Sequence, residues 1–169
     1  MSEKQNIAAQ RHIVLVEPEI HWNTGNIGRT CLAAGAALHL VRPLGFSLES
    51  REVRRAGLDY WEAVCPFVWD SFDDFLRGAS PGPGEVAIFS KRGRLSLWSL
   101  PYKQRLFLVF GSETRGLPQH ISQRYQDAAY FIPMTQAVRS LNLSTAAGIA
   151  LYESIRGHGP AHAWPPQTG

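Results

Sequence analysis

The sequence predicts an α/β domain with a mostly parallel sheet and helices on both faces. Three observations carry that prediction. Short apolar runs alternate with helix-like segments along nearly the whole chain. The first two runs, His12–Glu17 and Leu38–Val41, flank a helical pattern at βαβ spacing, which implies a parallel pair and a right-handed crossover. Leu106–Phe110 is apolar at every position, as a strand buried on both faces must be.

Each element has its own local reason. His12–Glu17 is β-branched and ends at Pro18, so it reads as a buried strand. A helix is expected from about Asn26, capped by Thr24 or Asn26 and stopped by Gly35. Leu38–Val41 is the next strand, closed by Pro43. Ser50–Ala56 reads as a basic helical turn ended by Gly57. Ala63–Trp69 is a plausible strand that Pro66 places at a sheet edge. Ser71–Arg77 forms a short helix with an N-cap serine and acids in its first turn. After the SPGPG loop, Val86–Ser90 is a strand followed by the basic loop Lys91–Arg94. Pro118 suits the first turn of a short helix, Tyr130–Ile132 is the last strand, and Leu141–Arg156 the last helix.

At 169 residues the chain fits one domain, spanning 12–156, with a flexible polar lead over 1–11 and a Gly-, Pro- and His-rich flexible tail over 157–169. No apolar run reaches the roughly 18 residues of a membrane span, and the start carries no apolar signal core. Cys31 and Cys65 make neither a metal spacing nor a disulfide framework. They are expected as buried reduced thiols, consistent with a cytoplasmic setting. The net charge is +3, with cations gathered at Arg51, Arg54 and Arg55 and again at Lys91, Arg92 and Arg94. Each cluster reads as a solvated face or as a contact for a phosphate backbone.

Three polar, glycine-bearing stretches draw the eye: Asn23–Arg29, Phe110–Pro118 and Ile132–Ser144. Each follows an apolar run, and ligands of open α/β sheets bind beyond the carboxyl ends of the strands. The three are therefore expected to converge on one site. Several chemistries are disfavoured. Gly25-Asn26-Ile27-Gly28 is not a dinucleotide fingerprint, and Leu44-Gly45-Phe46 supplies no acidic ribose partner. Neither a GxxxxGK[ST] nor a GxSxG pattern occurs, and the six scattered histidines suggest no metal site. Glu113 and Arg115 read either as a surface ion pair or as groups that hold their loop or meet a partner. Arg29, in the first turns of its expected helix, opposes the helix dipole at a cost of a few tenths to about 1 kcal/mol, and reads either as part of an anion site with the helix N-terminus or as a plain surface arginine.

Taken in order, Asn23-Thr24-Gly25-Asn26-Ile27-Gly28-Arg29-Thr30, then Phe110 to Pro118, then Ile132-Pro133-Met134 with Arg139 to Ser144, resemble the three motifs of the SPOUT RNA methyltransferases. More narrowly, the chain resembles the minimal tRNA (cytidine/uridine-34)-2′-O-methyltransferases, and Arg54–Tyr60 fits that subfamily too. The resemblance covers roughly residues 12–156. It implies a deep C-terminal trefoil knot, a homodimer, and S-adenosylmethionine held largely through backbone groups at Phe89, Gly111, Ile132 and Ser140, with S-adenosylhomocysteine as product. It implies catalysis by Arg29, Asn142 and Ser140, and contact with the tRNA anticodon loop through Arg29, Arg139 and Tyr152. Arginine stays protonated far above neutral pH, so orienting the 2′-hydroxyl and stabilising oxyanion charge suits Arg29 better than general-base work. His21-Trp22 stands where the family commonly has a proline pair, and Trp22 could stack on RNA or pack on a partner subunit. No membrane and no metal are implied. The alternatives are the same chemistry on another tRNA or rRNA ribose, or a non-catalytic RNA-binding module of the same fold.

Overall fold

The computed structural model describes residues 10–48 and 60–156. Seven strands are described: β1 (Arg11–Val16), β2 (Ala37–Val41), β3 (Phe67–Trp69), β4 (Val86–Phe89), β5 (Leu95–Ser96), β6 (Leu106–Phe110) and β7 (Ala129–Phe131). The α-helices among the described residues are α1 (His21–Ala34), α2 (Trp61–Val64), α3 (Phe72–Ala79), α4 (Gln119–Arg124) and α5 (Leu143–Arg156). The strands form one sheet in the order β3-β2-β1-β6-β4-β7-β5, with every pairing parallel. The all-apolar β6 takes the central place.

Strand alternation divides the core in two. Ile13, Leu15, Leu38 and Leu108 point to the face covered by α1 and α5, where they meet Ile27, Cys31, Ala147, Ala150 and Leu151. Val14, Val16, Val41 and Val109 point to the other face, under Phe72 and Phe75 of α3 and Ile121 of α4. Each fully buried Val, Leu, Ile or Phe side chain among them contributes about 1.5–3 kcal/mol. Alternate residues of β1 thus belong to different layers, as a sheet with helices on both faces requires.

Several boundaries differ from expectation. Helix α1 begins at His21, so Gly25 and Gly28 lie inside it. A Cβ at Gly28 would meet Val64 methyls at 3.1 and 3.2 Å and the Trp61 ring at 3.2 Å, so close packing of α2 accounts for that glycine. The expected strand over 63–69 is reduced to β3: Cys65 turns the chain left-handed at φ 41, ending α2 and leaving three residues to pair at the sheet edge. Ser71 caps α3 as expected, its Oγ accepting from the Asp74 amide at 3.1 Å. The two-residue β5 was not anticipated. Cys31 is buried, and that burial pushes its thiol up to about 12, but Cys65 is exposed. The basic turn at 50–56 lies outside the described residues.

Two buried polar groups matter for later. Arg11, 4% exposed, donates through Nε and Nη2 to the Ser154 carbonyl at 3.2 and 3.0 Å and through Nη1 to the Gln104 carbonyl at 3.0 Å. The guanidinium thereby ties the start of β1 to the last turn of α5. His12 and His39 lie side by side beneath α3, with His12 Nδ1 2.9 Å from His39 Nε2. Trp69 Nε1 donates to His39 Nδ1 at 3.0 Å, so the His39 proton sits on Nε2 and is donated to His12. Burial, then the neighbouring His12, lowers His39 to about 3.

Candidate active site

The carboxyl ends of β4, β6 and β7 open into a cavity of about 890 Å³. Its apolar walls include Phe89, Phe110, Leu117, Tyr130, Ile132, Leu141 and Leu143. Lys91, Arg92, Glu113, Arg115 and Asn142 supply its polar groups. Phe89 and Phe110 stack, with centroids 4.8 Å apart and planes within 11°. Burial raises the Tyr130 phenol above its usual range.

One hydrogen-bonded chain joins the three polar stretches. Glu113 accepts from the Glu19 amide at 2.8 Å, the Ile20 amide at 3.3 Å and Asn23 Nδ2 at 3.0 Å. Asn23 Oδ1 in turn accepts from Asn142 Nδ2 at 3.0 Å. Asn142 Oδ1 then accepts from the Ser144 amide at 2.8 Å, the Ser144 hydroxyl at 2.7 Å and the Thr145 amide at 3.4 Å, which makes it the cap of α5. An ionised carboxylate only accepts, so both amides can face only one way. The N-terminus of α1 has no cap of its own, since Ile20 offers no side-chain acceptor. Glu113 supplies the negative charge that the helix dipole favours there.

A second exchange runs between the same loops. Glu19 accepts from the Thr114 amide at 3.0 Å and from the Thr114 hydroxyl at 2.7 and 2.8 Å. The Thr114 hydroxyl bond, then its amide and the charge of Arg115, hold the Glu19 carboxyl below its usual range. Arg115 pairs with Glu17 at 3.2 Å and Glu19 at 3.6 Å, not with Glu113. The loop itself folds back through reciprocal backbone bonds between Ser112 and Gly116 of 2.9 and 3.1 Å. That turn requires φ 70 at Gly116 and leaves no room for a Cβ at Gly111, which would lie 2.0 Å from the Gly116 carbonyl carbon.

Five of the residues singled out from the sequence line the one cavity: Phe89, Gly111, Ile132, Ser140 and Asn142. Arg29, Arg139 and Tyr152 are exposed and do not line it. Arg29 is the ninth residue of α1 rather than part of its first turns, with its guanidinium 5.0 Å from the centre of the Tyr60 ring. The argument from an opposed helix dipole therefore does not hold, and Glu113 occupies the expected anion position. Asn23, 3% exposed, is the joint of the site and was not among the residues assigned a role. Its signal in the sequence is a carboxamide in the first turn of the helix, beside the polar Thr24. Among the described residues no group of three or more His, Cys, Asp or Glu could hold a metal ion, and no helix is long and apolar enough to cross a membrane.

The cavity suits S-adenosylmethionine on its own chemistry. Its apolar lining is of the kind that takes an adenine, the glycine-bearing loop brings backbone close, and Lys91, Arg92 and Arg115 are of the kind that pair with an amino-acid carboxylate.

Comparison with known proteins agrees. The SpoU rRNA Methylase family model matches residues 10–152. A tRNA (cytidine(34)-2′-O)-methyltransferase of Burkholderia ambifaria is 40% identical over 146 residues, covering 86% of this chain and 94% of that protein. A Geobacillus stearothermophilus protein provisionally named for the same activity is 48% identical over 147 residues, 86% of this chain and 93% of its own. A solved structure described as giving structural insights into the 2-OH methylation of C/U34 on tRNA matches with TM-score 0.78 and 45% identity, covering 86% of this chain and 94% of that one. An rRNA methyltransferase of Sinorhizobium meliloti, solved with S-adenosylmethionine bound, matches with TM-score 0.71 and 27% identity, covering 88% of this chain and 57% of that one. A match running from the first strand into the last helix takes in all three loops of the cavity, and the chain belongs to the SpoU rRNA methylase family.

Proposed function

We infer that the protein transfers the methyl group of S-adenosylmethionine to the ribose 2′-hydroxyl of nucleotide 34, cytidine or uridine, in tRNA. The observation that carries this reading is the single cavity shared by the three loops, in a chain similar over nine-tenths of their length to proteins named for that reaction. The cofactor contributes an electrophilic methyl group with a neutral thioether as leaving group. The protein's task is then largely positioning.

Phe89, Gly111, Ile132 and Ser140 hold the cofactor. Asn142 spends its oxygen on α5 and one amide proton on Asn23, which leaves its second N–H to orient the ribose hydroxyl. Arg29 orients the hydroxyl and the adjacent phosphate and stabilises the developing oxyanion as the hydroxyl proton leaves to solvent water. Arg139 and Tyr152 meet the anticodon loop.

The protein works as a homodimer. Support comes from exposed apolar side chains on α1 and α5, Trp22 and Leu32 on the first and Ile149 and Tyr152 on the second. Arg29 is exposed on α1 and lies outside its own chain's cavity, so its proposed role is best met at the cavity of a partner subunit. The knot is supported by β7, which lies between β4 and β5 although it follows both in the chain. A Cβ on Gly93 of the β4–β5 loop would fall 2.4 Å from the Tyr130 carbonyl carbon, and the chain then returns to α5 against α1, β1 and β6. A cytoplasmic setting follows from a tRNA substrate.

The test is mass mapping of methylated nucleosides in tRNA with and without the gene, and in vitro after adding the pure protein and cofactor. The expected result is a 2′-O-methyl group at nucleotide 34 that depends on both. A methyl group at another ribose, or none with cofactor bound, overturns the reading.

A further inference from the structure

We propose that a second, smaller cavity beside the cofactor cavity binds a phosphodiester of the RNA substrate; this rests on the RNA-methylation reading above. The cavity has a volume of about 510 Å³ and lies on the opposite face of the sheet from α5. Its floor is the register pair Ile88 and Ala129, and α4 borders it. Ser90, Arg92 and Arg94 form one wall, and Gln119, Ser122 and Gln126 the other. Two guanidiniums, two carboxamides and two hydroxyls make a lining without a carboxylate, a donor set suited to phosphate oxygens. Ser90 and Arg92 also line the cofactor cavity, so the two cavities share a wall.

The cations stand on a fixed support. The Ser90 amide donates to the Tyr130 carbonyl at 2.9 Å, the Arg94 amide to the Ala129 carbonyl at 2.9 Å and the Gly93 amide to the Ser90 carbonyl at 3.0 Å. The loop is thus pinned to β7, the strand that leads into the 132–142 segment of the cofactor cavity. Binding by a pre-set loop avoids much of the ordering cost of long side chains on a mobile one. Arg94 touches Asp127 at 3.5 Å, but both side chains are exposed, at 67% and 88%, and such a pair contributes little. It can be exchanged for a phosphate at small cost. Arg92 forms no ion pair among the described residues.

The test uses a fluorescein-labelled anticodon stem-loop RNA, with binding followed by anisotropy at increasing salt. Arg94→Gln should bind it about fivefold more weakly, with the slope of log affinity against log salt reduced by about 0.7, the value for one single-strand phosphate contact. Asp127→Asn should bind about twofold more tightly by releasing Arg94, a gain that a folding defect cannot produce. S-adenosylmethionine affinity, measured by isothermal titration on Arg94→Gln, should be unchanged. Unchanged RNA affinity and slope in Arg94→Gln, or a parallel loss of cofactor affinity, overturns the proposal. If the unaltered protein binds cofactor but not the RNA, the RNA-methylation reading has failed, and this proposal with it.

Discussion

Replacing Asn23 tests whether the site is one connected object. Asn23→Ala removes a bond to the Glu113 carboxylate and a bond to Asn142 Nδ2, both 3.0 Å long. The first is charge-assisted, about 1.5–3 kcal/mol, and the second neutral, about 0.5–1.5 kcal/mol, for a total of about 2–4.5 kcal/mol. Asn23→Asp is nearly isosteric and gives a sharper answer. It sets a second carboxylate against Glu113, and two charges about 4 Å apart at an effective dielectric of about 20 repel by about 4 kcal/mol. The repulsion raises the folded-state pKa of the new carboxyl above its unfolded value. Stability is therefore retained at low pH and lost as pH rises through the folded pKa. Urea unfolding of both variants at several pH values is the assay. Asn23→Asp should be the less stable at neutral pH and should approach or overtake Asn23→Ala as pH falls toward 4. An Asp variant that equals or exceeds the Ala variant at neutral pH would show that Asn23 and Glu113 are not coupled as described.

Other substitutions probe separate parts of the molecule. Arg29→Ala should keep normal cofactor affinity by isothermal titration and lose methyl transfer at least a hundredfold, since oxyanion stabilisers contribute about 10²–10³. A Cβ at Gly148 would meet only Thr30 Cγ2, at 3.9 Å, so the described fold tolerates Gly148→Ala. Gly148→Leu should shift the protein to a monomer in light scattering while keeping its circular dichroism, and a fully dimeric, active Leu variant would refute the interface. His39, lowered to about 3 against an ordinary 6.5, contributes stability that is complete above pH 6.5 and lost as pH falls toward 3. At pH 5 that loss is about 2 kcal/mol, so His39→Gln should flatten the acid limb of the stability curve relative to the unaltered protein.

The architecture was legible in the sequence because periodicity reports burial. Leu106–Phe110 announces a strand covered on both faces, and it takes the middle of the sheet. The failures were failures of partnership. The start of α1 at His21 was missed because its cap, Glu113, lies 94 residues from Glu19, and local rules look only a few residues away. The same distance hid Asn23, whose two partners lie 90 and 119 residues further on. Strand β5 is two residues long and holds its place by pairing with β7, which leaves no pattern to detect. Pro66 did mark an edge strand, but the left-handed Cys65 that shortens it had no signature. Motif order brought five candidate residues to one cavity, whereas Arg29, Arg139 and Tyr152 face outward, toward surfaces that one chain's sequence does not describe.

The guanidinium of Arg11 has a consequence for how the molecule breathes. Its acceptors at Ser154 and Gln104 belong to the last helix and to the approach to the central strand, around a residue 4% exposed. Fraying of the last turn of α5 takes the Ser154 carbonyl away from Nε and Nη2 of this guanidinium, and hydrogen bonds to a charged group contribute about 1.5–3 kcal/mol each. Helix ends ordinarily exchange their amide hydrogens early, but this one should exchange later than an untethered helix end. Arg11 thus fastens one end of α5 and Asn142 caps the other, the end that borders the cofactor cavity.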